Sequence, residues 1–495
     1  MKLGTRWAWG LGVLLEVIAG FWMLGALGDA AAVADPWQTS VVETTADMSL
    51  RLAEQPAAEF QSALPSGLPV VDVNDGSTFQ QVTGFGAALT DSAAWLIHDG
   101  LAAPERSELM RALFSPMAAY ISVVRVPMGA SDFTAKEQPY SYDDMPPGQV
   151  DPELRHFSIA HDLAYIIPTL RQMLSIDPNI EIIANPWSPP GWMKANDALD
   201  NIGHRGTLLR RFYHAWAEYF VKFIQGYQRA GVHITAVTPQ NEPGGPFNFP
   251  GMELPASTEK YLVANYLKPA LRTAGLHTKI YGGEEGWNSA RYEYSLVRGP
   301  YRGVFDGISW HCYGGIPNVM SGLYDIDPSV YQVENECAPS DTSYSVSEIL
   351  IGSMRNWASA AELWNIALDP HGGPVQPPNY GCGRCRGLFT IGENKRHVTF
   401  RTDYYQLAQI SKFVQPGALR VASNNLLRYF DHGSHYGAGP GLDDVAFRNP
   451  DGSLILDAYN NTPARYRFAI SWQGRYLPAQ LPPHATATFI WNSSP

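Results

Sequence analysis

Ile234-Thr-Ala-Val-Thr-Pro-Gln-Asn-Glu-Pro243 decides how the rest of the chain is read. It opens β-branched and apolar, the composition of a strand. It ends on Asn241-Glu242-Pro243, and Pro243 lacks the N–H that a ladder needs, so the strand stops there. A carboxyl group held at a strand end beside an amide suits a general acid. It can protonate a leaving oxygen while its neighbour grips a sugar hydroxyl. Alone, the same tripeptide is also an ordinary surface turn. The flanking chain separates the two readings.

From Val82 onward, short apolar strands alternate with amphipathic helices. Strand segments fall at Gly84–Asp91, Val123–Met128, Ile182–Trp187, Ile234–Glu242, Lys279–Glu284, Gly307–Tyr313, Tyr331–Cys337 and Glu362–Leu368. Among the helices, Phe212, Trp216, Phe220, Phe223 and Tyr227 share one face. Ala160–Ile176 reads as a helix kinked at Pro168, and Ser345–Ala360 as a helix leading into the eighth strand. Eight such units predict a (β/α)8 TIM barrel, in which functional groups sit at the C-terminal strand ends.

Strands also precede and follow this region. Val41–Phe60, Leu68–Val73 and Gln80–Val82 have strand character. After a last barrel helix at Tyr404–Phe413 come Val445–Phe447, Leu454–Leu456, Phe468–Trp472 and Ala485–Trp491, with a hairpin signal at Asn449-Pro-Asp-Gly452. The two sets are expected to build one attached β-sandwich. The division is then 1–34 as a leader, 35–81 as N-terminal sandwich strands, 82–414 as the barrel and 415–495 as C-terminal sandwich strands.

Hydrophobic residues make up 45% of the 495, enough for a large core and against disorder. The formal net charge of -12 argues against nucleic acid as a partner. Lys2 and Arg6 precede an apolar run from Trp7 to Gly28, and Ala32-Val33-Ala34 follows. That order is a secretory signal cleaved near Ala34, giving a secreted or periplasmic protein with no membrane span in the mature chain. The alternative is an N-terminal membrane anchor. Cys312, Cys337, Cys382 and Cys385 are too few for a disulfide framework. Cys382 and Cys385 read as a loop staple or two free thiols, since no second ligand pair is spaced for zinc.

Two glutamates stand out at strand ends: Glu242 on strand four and Glu336 on strand seven. Across a barrel mouth, one can donate a proton while the other attacks the anomeric carbon. Glu334 is the alternative to Glu336, because an extended strand points both to one side. Arg125 can keep a carboxylate ionised, and Asp132 can accept from sugar hydroxyls. Trp187 and Trp364 can stack a pyranose ring, and Tyr313 can donate to the attacking carboxylate. His311 lies between, without the close histidine spacing of a zinc site. No metal and no cofactor are expected.

Five segments carry a resemblance: Gly84-Phe-Gly-Ala-Ala-Leu-Thr-Asp91, Arg125-Val-Pro-Met-Gly-Ala-Ser-Asp132, Pro186-Trp-Ser-Pro-Pro-Gly-Trp-Met-Lys194, Ala236-Val-Thr-Pro-Gln-Asn-Glu-Pro243 and Trp364-Asn-Ile-Ala-Leu-Asp-Pro-His-Gly-Gly-Pro374. In this order the chain resembles glycoside hydrolase family 30, in particular its glucosylceramidase branch. The resemblance implies a retaining β-glycosidase with Glu242 as acid/base, Glu336 as nucleophile and Asn241 on the sugar 2-hydroxyl. It also implies Asp132, Trp187 and Trp364 around the sugar ring, with His311 and Tyr313 as the strand-six pair. Three departures from the glucosylceramidase pattern are Glu334, Glu284-Glu-Gly-Trp287 and the loop Asn379–Cys385. The main expectation is a β-glucosidase of the glucosylceramidase type acting on a glycolipid or glucan. The alternatives are an endo-β-1,6-glucanase or β-xylosidase of the same family, or a carbohydrate-binding protein without catalysis.

Overall fold

The computed structural model describes residues 37–135, 138–201, 206–245, 249–342, 344–375, 384–394, 397–426, 429–432 and 435–493. The expected leader, residues 1–34, and Cys382 lie outside them.

Eight parallel strands close into a barrel. They are β1 (Gly84–Ala87), β2 (Val123–Pro127), β3 (Glu181–Asn185), β4 (Ala236–Val237), β5 (Lys279–Gly286), β6 (Gly307–His311), β7 (Tyr331–Glu336) and β8 (Ala360–Leu363). Their side chains alternate as a two-residue period demands. Val123, Ile183, Ala236, Tyr281, Val333 and Ala360 fill the interior layer. Their neighbours Val124, Ile182, Val237, Ile280 and Ala361 pack outward in the main core. The helix Tyr213–Arg229 buries Trp216, Phe220, Phe223 and Tyr227 on that layer. No helix among the described residues is long and apolar enough to cross a membrane.

Several elements differ from the sequence reading. β4 is only Ala236–Val237 and not a strand to Glu242. Pro239 interrupts it, and Glu242 turns into the left-handed region at φ +41°. β8 ends at Leu363, so Trp364 lies just past the strand and not within it. Ala367–Leu368 instead joins Phe389–Ile391 and Val398–Phe400 in a small separate sheet. The expected Ala160–Ile176 helix begins at Ile166, which puts Pro168 in its first turn, where no N–H is missed and no kink is needed. The expected Ser345–Ala360 helix spans Val346–Arg355. Ser345 is its N-cap, closing a capping box with Glu348.

The N- and C-terminal strands form one nine-stranded sheet, built from Gln38–Thr44, Ala53–Glu59 and Val70–Gln81 together with six strands between Leu419 and Asn492. Leu419–Ser423 and Arg475–Leu481 were not legible as strands in the sequence. The sheet folds over itself. Tyr466–Trp472 and Thr486–Asn492 have four strands between them in its order, yet Phe468 and Phe489 meet at 6.0 Å, and Trp472 and Trp491 at 6.1 Å. The result is a sandwich with its own apolar core.

Candidate active site

Two bulges shape the barrel mouth. β5 slips register against β6 between Gly283 and Glu285, and β7 slips between Glu334 and Glu336. A bulge breaks the alternation of sides and re-aims one side chain. On β7, Asn335 points inward and donates to Glu284 Oε1 at 2.5 Å. Glu336, the next residue, also faces the mouth, where Tyr313 Oη donates to its Oε1 at 3.1 Å. Glu334 turns the other way and is fully buried beside the Cys312–Cys337 disulfide. The expectation that Glu334 and Glu336 share a side is therefore wrong. Burial pushes the Glu334 carboxyl well above its ordinary range.

On β5, Gly283 and Glu284 take positive φ, +100° and +78°. The N–H groups of Gly283 and Glu285 are caught by carboxyl groups behind the barrel. Glu259 accepts from Gly283 at 3.3 Å and Glu293 from Glu285 at 3.2 Å. Burial raises Glu259 to about 8 and drives Glu293 well above its ordinary range. Glu284 then points inward and Glu285 toward the rim, where Gly244 N donates to its carboxyl at 2.5 Å.

Arg125 is the hub. Fully buried on β2, its guanidinium donates to Glu336, to Asn241 Oδ1 at 2.7 Å and to Glu284 Oε2 at 2.5 Å. Burial by itself would lower Arg125, but Glu284 and Glu336 raise it further. Glu284 also accepts from Asn185 at 3.2 Å. Burial would raise Glu284, yet Arg125, His311 and Asn335 hold it at about 2. His311 bridges the site: Nε2 lies 3.1 Å from Glu284, and Nδ1 3.3 Å from Glu242 and 3.8 Å from Glu336. Against burial, Glu336, Glu242 and Glu284 push His311 well above 6.5, which favours its imidazolium form. Burial raises Glu336, while His311 and Arg125 pull it back.

Carboxylate oxygens of Glu242 and Glu336 come within 4.8 Å of each other. Retaining glycosidases hold the pair about 5–5.5 Å apart, whereas inverting enzymes need roughly 6.5–9.5 Å to admit a water. Glu242 is the more open of the two, its side chain 20% exposed. Asp132 is buried nearby. Burial, then Glu336 and Glu242, push its carboxyl well above 3.8, and its Oδ1 finds no donor among the described residues. Such a group can pair with a ligand hydroxyl.

Trp187 and Trp364 do not stand as open platforms. They stack on each other at 5.3 Å, each 2% exposed, with the Arg125 guanidinium 4.8 and 5.3 Å from their ring centres. They form the floor of the mouth with Phe133. The structure thus brings Arg125, Asp132, Trp187, Asn241, Glu242, His311, Tyr313, Glu336 and Trp364 to one place and leaves Glu334 outside it. Sequence reasoning marked Glu284 only as a departure from the glucosylceramidase pattern and passed over Asn185 and Asn335. Each sits at a barrel strand end, the same signal that singled out Glu242. Of the cysteines, Cys312 joins Cys337 and Cys385 is also disulfide-bonded. Of the rim loop at 379–385, only Arg384 and Cys385 are described.

Comparison with known proteins places both parts of the chain. Residues 82–280 match the glycosyl hydrolase family 30 TIM-barrel domain, and residues 417–489 match the family 30 beta sandwich domain. An endo-1,6-β-D-glucanase of Aspergillus fumigatus is 34% identical over 408 residues, spanning 79% of this chain and 80% of that protein. The lysosomal acid glucosylceramidase of Mus musculus is 26% identical over 443 residues, 84% of this chain and 82% of that protein. A solved endo-β1,6-glucanase superposes with a TM-score of 0.79 at 26% identity, over 92% of this chain and all of that one.

Proposed function

Because the chain belongs to glycoside hydrolase family 30, and is therefore a glycoside hydrolase, we propose that it is an endo-β-1,6-glucanase working by double displacement. The observation that carries the substrate is the 34% identity to an endo-1,6-β-D-glucanase, against 26% to the glucosylceramidase. The rim supports it. Burial, then the charge of Glu242, raise Glu285 to about 7, and its carboxyl lies on the acid side of the mouth. A polar group there suits a hydroxylated leaving sugar better than a lipid. The glucosylceramidase-type expectation is the weaker reading.

Glu336 attacks the anomeric carbon as the bond to the leaving 6-oxygen breaks, and Glu242 gives that oxygen its proton. Water then attacks the same carbon, Glu242 takes the water's proton, and Glu336 departs. Arg125 and Tyr313 aim the Glu336 carboxylate. Arg125 occupies Asn241 Oδ1, which leaves the Asn241 amide N–H groups for the 2-hydroxyl. Double displacement retains configuration, as the close approach of the two carboxylates favours.

A timed digestion of soluble β-1,6-glucan beside an aryl β-glucoside and glucosylceramide tests the substrate. Early release of mixed oligomers is expected. Glucose as sole early product, or faster turnover of glucosylceramide, refutes the endo-glucanase reading. Glu336→Gln is expected to abolish hydrolysis with the fold intact. Undiminished activity in that variant removes the nucleophile assignment.

A further inference from the structure

A second cluster of ligating side chains lies in the long loop that follows β2, away from the carboxylate pair. Asp143, Asp151 and His156 each turn one donor atom inward, and these atoms lie within 4.8 Å of one another. Asp143 is 1% exposed, and neither of its carboxylate oxygens meets a hydrogen-bond donor among the described residues. A buried carboxylate without a donor is unfavourable unless a cation or a proton compensates it.

Its surroundings are otherwise satisfied. Asp144 next to it accepts from Ser141 N at 2.8 Å and Ser141 Oγ at 2.6 Å. The Lys222 ammonium donates to Leu154 O at 2.7 Å. Asp151 is aimed by the His156 backbone N–H at 2.8 Å, and the same oxygen lies 2.8 Å from His156 Nδ1. The His156 ring is open to solvent, its side chain 66% exposed, which gives an ion a path in.

We propose that Asp143, Asp151 and His156 Nδ1 bind a divalent cation of the zinc class, which braces the rim of the barrel mouth. The cation would replace the proton shared between His156 and Asp151 and neutralise Asp143. Two carboxylates and an imidazole are a mixed oxygen–nitrogen set that suits zinc, whereas calcium takes six to eight oxygens. The brace reaches a second loop, because Trp192 Nε1 donates to the Asp143 carbonyl at 2.8 Å. Trp192 belongs to the segment after β3 that also carries Trp187. No motif marks this set in the sequence, since its members are not at the close spacing of a zinc motif.

Calorimetric titration of the full-length, chelator-treated protein with zinc chloride tests the site, with calcium chloride as comparator. One equivalent of zinc is expected, with a rise in melting temperature. Asp143→Asn and His156→Ala should each weaken binding roughly ten- to a hundred-fold and remove the rise. His156→Ala, at an exposed side chain, carries the test if Asp143→Asn does not fold. Absent or non-saturable zinc binding, or binding that survives His156→Ala, overturns the proposal. So does calcium binding in place of zinc. Loss of binding in Glu336→Gln with retention in His156→Ala would place the ion at the carboxylate pair and also overturns it.

Discussion

Glu284 does its work without reaching the mouth. It is wholly buried and ties Arg125, His311, Asn185 and Asn335 together from below. Through Arg125 it fixes Glu336 and Asn241, and through His311 it bears on Glu242. Glu284→Gln should lower kcat/KM roughly a hundred-fold by loosening these groups, with steady-state kinetics on the glucan as the check. It should also cost stability. Glu284 sits at about 2 in the folded chain against its ordinary 4.5, so its contribution is full above pH 4.5 and fades as the pH falls toward 2. The gap between wild type and variant, about 3 kcal/mol at neutral pH, should therefore close on acidification. A gap constant from pH 7 to pH 3 in chemical denaturation would contradict this.

At the scale of the element, the β5 bulge depends on carboxyl groups that act as hydrogen-bond partners and carry no useful charge. Glu259 holds Gly283 N and accepts from Tyr292 Oη at 2.7 Å. Its folded value of about 8 lies above the ordinary 4.5. The folded chain therefore keeps a proton there that the unfolded chain loses, and stability falls as the pH rises from 4.5 through 8. Glu259→Gln has the same shape and does not titrate. Its melting temperature relative to wild type should climb between pH 5 and pH 8 and level off above. A pH-independent difference would refute the neutral-carboxyl reading. β7 makes the complementary point: one extra residue turns Glu336 into the mouth and Glu334 out to the disulfide, a choice that strand alternation alone gets wrong.

For the whole molecule, barrel and sandwich are joined through buried polar contacts as well as apolar packing. Gln409, on the barrel helix Thr402–Ser411, donates to Val42 O at 2.5 Å and accepts from Thr44 Oγ1 at 2.8 Å. Its backbone carbonyl accepts from Thr488 Oγ1 at 2.6 Å. All three partners lie in sandwich strands that come from opposite ends of the chain. Gln409→Ala would take the side-chain donor from the buried Val42 carbonyl and leave the Thr44 hydroxyl only the bond it accepts from Leu52 N, lowering stability by about 2 kcal/mol while turnover stays unchanged. Urea unfolding followed by tryptophan fluorescence checks this, and an unmoved midpoint would show that the polar junction contributes nothing.

The amino-acid order was enough to read the eight strand–helix units, the flanking sandwich and the strand-end residues Glu242, Glu336, Arg125 and His311. Periodicity and strand ends are local properties, set by neighbours a few positions away. Three features needed the tertiary structure. Glu334 and Glu336 part company because of a register slip against β6, and register belongs to two strands at once. Glu284 became central only when β2, β3, β6 and β7 closed around it and supplied its partners. Cys312 and Cys337, separated by 25 positions, meet with Cα atoms 5.2 Å apart because β6 and β7 are neighbours in the barrel. Closure of the barrel also decided the charges. Burial and proximity to Arg125, not residue type, separate the ionised Glu284 from the protonated Glu259.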